Sequence, residues 1–171
     1  IYQIYRFLWA TLSKLPFAPD VIAGDVFFEI LDPPELQYSY RVRPAKDFGT
    51  PFREATLLIL CSDLKKCVVN IFRECSFVFK AAKAQQAGAR AVIITEAIDK
   101  WDETLDHLIE MVDDKMELDV NIPAGFLLGR SGFTILKTLK KLKRNYAIIN
   151  LPVNMTYVSL NKMNQPPWIA W

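Results

Sequence analysis

The feature that most constrains the fold is a compact helix–glycine–strand unit in the stretch CSFVFKAAKAQQAGARAVIITE, residues 75–96. Ser76 is a good N-cap, because its hydroxyl can accept a hydrogen bond from an amide of the first helical turn. The spacing predicts a helix over 77–87, which Gly88 ends. The apolar run ARAVIIT that follows predicts a buried strand.

The predicted helix has a face of small side chains. Phe77, Ala81 and Ala84 fall on one side at helical spacing, and we expect this side to pack against a sheet. Lys80 and Lys83 are expected to lie toward solvent. The unit therefore favours a fold in which a helix covers a sheet closely.

The rest of the chain supplies further strands and one more helix. An amphipathic pattern over 130–145 predicts the second helix, since Phe133, Leu136, Leu139 and Leu142 recur three residues apart. Apolar or alternating runs predict strands over 25–31, 36–44, 54–61, 121–129 and 146–156. The order of elements predicts a single α/β domain.

Composition excludes some classes of function. The 171 residues carry a net charge of +2, which gives no global field for nucleic acid. Residues 1–23 are too short and too interrupted by charge to predict a transmembrane helix. They fit either a signal-peptide remnant or a peripheral N-terminal segment.

Cys75, at a helix start, could be an activated nucleophile, because a helix N-terminus favours the thiolate. His107 is the only histidine available as its base, and it lies in a strongly acidic segment. A disulfide or buried thiol is the more frequent meaning of such a cysteine. A cysteine-dependent hydrolase, or an accessory subunit of a hydrolase, is therefore the alternative and not the leading interpretation.

A basic run near the end of the second helix is a candidate patch for anionic ligands. Its members are Lys137, Lys140, Lys141, Lys143 and Arg144. Such a run usually forms a solvated helix face. The alternative interpretation is that the chain is a module that binds an anionic glycan or lipid through this helix.

Two features fit an oxidising compartment. Asn154 begins the triplet NMT, an N-glycosylation sequon. The three cysteines, Cys61, Cys67 and Cys75, allow one disulfide and one free thiol, and they lack the spacing and the fourth ligand of a zinc site. The sequence predicts no cofactor and no metal.

The residues ECSFVFKAAKAQQAGARAVIITE and NIPAGFLLGRSGFTIL together resemble the protease-associated (PA) domain family. The shared pattern is C-S-F, then a lysine, A-x-x-A-G-A and A-V-I-I, followed by I-P and a G-x-x-G turn. The resemblance covers residues 24–171 and places the domain at 24–160, with a Pro- and Trp-rich tail at 161–171.

The resemblance implies a β/β/α sandwich of the swivelling type with flanking helices. It implies no catalytic residues, and a protein that acts through contacts with other proteins. It further implies a secreted glycoprotein of the secretory-pathway lumen, with Asn154 as the family's sequon asparagine and Cys75 as the cysteine of C-S-F. On this basis Cys75 pairs with Cys67 or Cys61. The partner protein and the oligomeric state are not specified.

The chain departs from the family pattern just before Cys75. The family has a strand of the type G-K-I-A-L-V there, whereas CVVNIFRE occupies the place in this sequence. The segment predicts a truncated central strand, and hence a strand ARAVIIT that lacks a partner along one side.

Overall fold

The computed structural model describes residues 2–8, 24–53, 56–61, 76–96, 109–113, 115, 117–155 and 163–169. Within 2–8 and 56–61, and at residue 96, the description is of the backbone. The secondary structure consists of seven strands and two α-helices within these residues. The strands are β1 Tyr2–Leu8, β2 Val26–Asp32, β3 Ser39–Pro44, β4 Thr56–Cys61, β5 Val92–Glu96, β6 Ala124–Leu127 and β7 Tyr146–Val153, and the helices are α1 Phe77–Gln86 and α2 Gly129–Lys141.

The strands close into a barrel in the order β1-β4-β7-β2-β3-β6-β5. All neighbouring pairs are antiparallel except β5 and β6, which run parallel. A parallel pair needs a long crossover between its strands, and the chain from residue 97 to residue 123 supplies that length. The predicted α/β class is confirmed, with the sheet curled on itself.

The hairpin of β2 and β3 supplies much of the barrel core. Alternate residues of β2 are buried, as expected for a strand with one face toward the core and one toward solvent. Phe28 on β2 stacks on Tyr40 of β3, with ring centroids 5.0 Å apart. The Tyr40 hydroxyl donates a hydrogen bond of 3.1 Å to the carbonyl of Leu36, so this buried polar group is satisfied. Leu36 lies in a short 3-10 turn, Pro34–Leu36, where the sequence had predicted the start of a strand.

Helix α1 begins and ends as predicted. The Ser76 hydroxyl accepts a hydrogen bond of 3.1 Å from the Phe79 amide. Gly88 ends the helix with φ +81°, a left-handed conformation that glycine adopts without strain. Ala81 and Ala84 are fully buried and let the helix approach the sheet closely.

The predicted exposure of Lys80 is wrong. Its side chain is only 4% exposed, whereas solvent had been expected. Lys80 lies one turn from both Phe77 and Ala84 and therefore shares the face that packs on the sheet. Its ammonium lies 5.9 Å from the centroid of the Phe77 ring, at the end of a buried apolar stem.

The expectation that β5 lacks a neighbour is also wrong. β5 pairs with β6 on one side and with β1 on the other, where Tyr2–Arg6 match Val92–Glu96 residue by residue. The partner thus comes from the start of the chain, in a segment for which no strand had been predicted. The segment 62–75, with the short stretch before Cys75, lies outside the described residues.

The segment near the C-terminus is packed against the domain. The Ser39 amide donates to the carbonyl of Asn164 at 2.8 Å, and Trp168 meets Tyr38 edge to face at 5.4 Å. Arg130 of α2 donates to the carbonyl of Trp168 at 2.8 Å. Residues 163–169 are therefore part of the folded unit.

Candidate functional surface

The basic residues predicted from the sequence lie where α2 ends and the chain turns into β7. The side chains of Lys137, Lys140, Lys141 and Lys143 are exposed. Lysines in the last turn of a helix stabilise it through the helix dipole. The Lys137 ammonium lies 5.6 Å from the ring centroid of Phe133, one turn earlier in α2.

Arg144 is partly exposed and, unlike a free surface cation, forms an ion pair with a distant part of the domain. Its guanidinium donates to the carboxylate of Asp32 at the end of β2, 112 positions away in the sequence. This hydrogen bond, together with the charge of Arg144, lowers the pKa of Asp32, and the same contact raises the pKa of Arg144. The guanidinium also lies 5.0 Å from the ring centroid of Tyr146. Arg144 therefore joins β2, the turn and β7. We call Lys140, Lys141, Lys143 and Arg144 the basic turn.

Three large apolar side chains lie exposed beside the basic turn. Leu31 is 40% exposed, Tyr146 is 44% exposed and Ile148 is 36% exposed. Tyr146 and Ile148 are alternate residues of β7, so both point to the outer face of the barrel. Ile148 pairs with Asp32, the neighbour of Leu31 in the sequence, where a register shift interrupts the ladder. We call Leu31, Tyr146 and Ile148 the β7 patch.

Asn154 lies at the other end of β7. It is exposed and follows directly on Val153, which pairs with Phe27 near the start of β2. A strand rises ~3.3 Å per residue, so Asn154 and Tyr146 are separated by roughly 26 Å. The last residue of the sequon, Thr156, lies outside the described residues.

An open groove of about 890 Å³ lies at the Asn154 end of the barrel. Its walls carry Asp25, which forms an ion pair with Arg43 at 3.1 Å, and Lys46, which forms one with Glu110 at 3.4 Å. Four of the charged side chains that line the groove are thus paired with one another. Its loop is fixed by Gly49, whose φ is +75° and where a β-carbon would press on the Ile122 carbonyl.

The predicted cysteine sites are described only in part. Cys61 ends β4, and its backbone pairs with Arg6 of β1 and Tyr146 of β7. Cys67, Cys75 and His107 lie outside the described residues. Within the part of the chain that the structure describes, no three His, Cys, Asp or Glu side chains come together as metal ligands. In that same part no helix is long and apolar enough to cross a membrane.

Sequence reasoning found the lysines but missed the β7 patch. The alternation along YAIINLPV signals one exposed face, and Tyr146 and Ile148 are the large residues on it. The contact between Asp32 and Arg144 has no sequence signal, because it depends on how β2 and β7 pair.

Comparison with known proteins agrees with this architecture. The model of the PA domain family matches residues 36–135. A protein of Drosophila melanogaster described as PRADC1-like protein is 49% identical over 179 residues, a span that covers 95% of this chain and 91% of that protein. Because 179 exceeds the 171 residues of the chain, the relative carries residues within the aligned span that this chain lacks. The chain therefore belongs to the PA domain family.

Proposed function

We propose that this chain is a non-catalytic PA-domain glycoprotein of the secretory pathway that acts by contact with another protein through the β7 patch. The observation that carries the proposal is the exposure of Leu31, Tyr146 and Ile148 side by side on the outer face of the barrel. Scattered apolar residues on a surface are ordinary, whereas grouped ones mark sites of interaction. An aromatic side chain next to aliphatic ones is also the composition of the centre of a protein interface.

Photochemical crosslinking tests the contact directly. With a benzophenone analogue of phenylalanine in place of Tyr146, a chain produced in the secretory pathway of cultured cells should give a discrete crosslinked product. The same analogue in place of Phe79, a half-buried aromatic residue of α1, serves as the control. Absence of a product at Tyr146, or equal products at both positions, would contradict the proposal.

The assignment to the secretory pathway is supported by Asn154, which is exposed just beyond β7. A chain that enters the lumen should carry a glycan there, since the asparagine is accessible and followed by the sequon residues. Treatment with a glycosidase should increase gel mobility, and Asn154→Gln should abolish that change. A secreted chain without the glycan would argue against the assignment.

In the same compartment Cys75 should pair with Cys67 or Cys61, leaving one thiol free. Peptide mapping without reduction distinguishes the two pairings, and three free thiols would rule out both. The non-catalytic part of the proposal is tested with Cys75→Ser. Any peptidase or esterase background should be unchanged by this substitution, and an activity that disappears with it would make Cys75 a nucleophile.

A further inference from the structure

We infer that the partner surface recognised by the β7 patch is an acidic segment that carries apolar side chains. This inference rests on the proposed function and adds the chemistry of the partner. It follows from the position of the basic turn, whose Arg144 guanidinium lies 5.0 Å from the ring centroid of Tyr146 in the patch. A segment that contacts Tyr146 therefore also meets Arg144, and Lys143 is the neighbour of Arg144 in the sequence.

The backbone that carries the apolar part of the surface is held by hydrogen bonds. Tyr146 and Ile148 project from a strand that is paired on both sides, with β2 and with β4. The backbone of Leu31 is restrained by a hydrogen bond of 2.6 Å from the Gln37 side-chain amide to its carbonyl. A surface that is already ordered loses little conformational entropy when it binds.

The charged part of the surface is positive. The basic turn contributes four cations, and within the part of the chain that the structure describes only Arg144 of these forms an ion pair, with Asp32. Asp32 is already neutralised by Arg144. The exposed ammonium groups of Lys140, Lys141 and Lys143 therefore leave a positive surplus, and charge complementarity selects a partner with carboxylates.

A protein segment fits this surface better than a lipid surface does. The three apolar side chains are between 36% and 44% exposed, so they form part of a sheet face and do not protrude as membrane-inserting side chains do. Arg144 is held between Asp32 and the Tyr146 ring, which gives the charge a fixed direction. A guanidinium held in one direction beside the β7 patch suits a peptide in which acidic and apolar residues alternate.

The proposed glycan does not obstruct this surface. Asn154 and Tyr146 lie at opposite ends of β7, roughly 26 Å apart at ~3.3 Å per residue. Binding should therefore be the same for the glycosylated chain and for Asn154→Gln.

Fluorescence anisotropy with three short labelled peptides tests the inference on the full chain. Glutamate alternates with leucine in the first peptide, lysine with leucine in the second, and glutamate with serine in the third. The first should bind at least about tenfold more tightly than either of the others, a difference of about 1.4 kcal/mol. Equal binding of the first two peptides would overturn the inference, because the sign of the charge on the peptide would then have no effect on its affinity.

Two matched pairs of variants locate the contact. Ile148→Thr, which keeps a β-branched residue in the strand, should weaken binding of the glutamate–leucine peptide about fivefold or more, and Val112→Thr should not. Val112 is a suitable control because it is 49% exposed and lies in the loop 109–113. Lys140→Gln with Lys141→Gln should weaken binding and its dependence on salt, whereas Lys83→Gln on α1 should change neither. If Ile148→Thr fails to fold, Tyr146→Thr takes its place.

The remaining outcomes separate this inference from the proposed function. Stronger binding to phosphatidylserine vesicles or to heparin than to the glutamate–leucine peptide would overturn the inference in favour of an anionic lipid or glycan. A crosslinked product at Tyr146 without selectivity for the acidic peptide would leave the proposed contact standing and refute the acidic partner. Weaker binding of the glutamate–leucine peptide in the Lys140→Gln, Lys141→Gln double variant and in Ile148→Thr, with Lys83→Gln and Val112→Thr unchanged, supports the inference.

Discussion

Gly132 of α2 lies so close to Thr95 of β5 that a β-carbon on the glycine would overlap the threonine side chain. The two residues mark the point where the first turn of α2 packs on the end of β5. Thr95 is fully buried, so neither its hydroxyl nor its methyl group can move aside into solvent. The absence of a side chain at Gly132 therefore fixes how closely helix and barrel approach.

Gly132→Ala should destabilise the domain by about 1–3 kcal/mol, the usual cost of overpacking a core. The sign of this change is informative, because replacing glycine by alanine within a helix normally stabilises the protein by about 1 kcal/mol. The denaturation midpoint in urea measures the effect. Gly24→Ala is the control, since no atom lies within 4 Å of the position of its β-carbon.

Thr95→Ala should restore part of the stability lost in Gly132→Ala. The substitution removes the hydroxyl and methyl groups that overlap the new β-carbon, but the β-carbon of residue 95 remains only 2.8 Å away. A double-mutant cycle should therefore show a coupling of about 1 kcal/mol between the two positions. Additive effects would mean that Gly132 is required for another reason.

Ile4→Pro should loosen β5. Ile4 of β1 pairs with Ile94 of β5, and proline both lacks an amide hydrogen and fits poorly within a paired strand. We expect a loss of about 1–3 kcal/mol, the cost of leaving a backbone group without its partner. Amide exchange over 92–96 should become faster, whereas Ile4→Thr, which keeps strand propensity, should change it little. Unaltered exchange in the proline variant would contradict the pairing of β1 with β5.

Asp32→Asn should remove a stabilising contact that depends on pH. The hydrogen bond from Arg144 holds the pKa of Asp32 below its ordinary value of 3.8. A lowered pKa in the folded state means that the contribution is fully present above the ordinary value and is lost as the pH falls through the lowered one. The variant should be less stable than the parent at neutral pH, and the difference should shrink in acid. The pair is partly exposed, so the difference should be small and should decrease with salt. A difference that stays constant down to acid pH would argue against the ion pair.

Removal of residues 163–171 should destabilise the domain by about 2–4 kcal/mol. The truncation loses the edge-to-face contact of Trp168 with Tyr38, worth about 0.5–1.5 kcal/mol, and the hydrogen bonds at Ser39 and Arg130, worth about 1 kcal/mol each. The thermal midpoint measures the loss. Trp168→Ala should lose only the edge-to-face contact, because both hydrogen bonds are accepted by backbone carbonyls, and Pro167→Ala, at an exposed position, should lose neither.

Local features were predictable from the sequence because the interactions that form them are local. The capping bond of Ser76 and the positive φ of Gly88 depend on residues within one turn of each. The alternation of exposed and buried residues along β7 is also local, because it can be seen in consecutive residues of one strand. Lys80 shows the limit of this reasoning, since residue type suggested solvent while helical geometry placed the side chain against the sheet.

Features that depend on how distant segments meet could not be predicted. The pairing of β1 with β5 joins the start of the chain to residues some ninety positions later, and it left no periodic signal in the sequence. The ion pair of Asp32 with Arg144 and the contact of Trp168 with Tyr38 are of the same kind. Each follows from the strand order of the barrel, which local patterns do not specify.

Closure of the barrel has a consequence for how the protein can be recognised. Each of the seven described strands has a neighbour on both sides, so none of them offers a free edge to which an incoming chain could add as a further strand. Binding by strand addition relies on main-chain hydrogen bonds and tolerates many sequences. On this barrel a partner must instead meet side chains, and its amino-acid sequence therefore decides whether it binds.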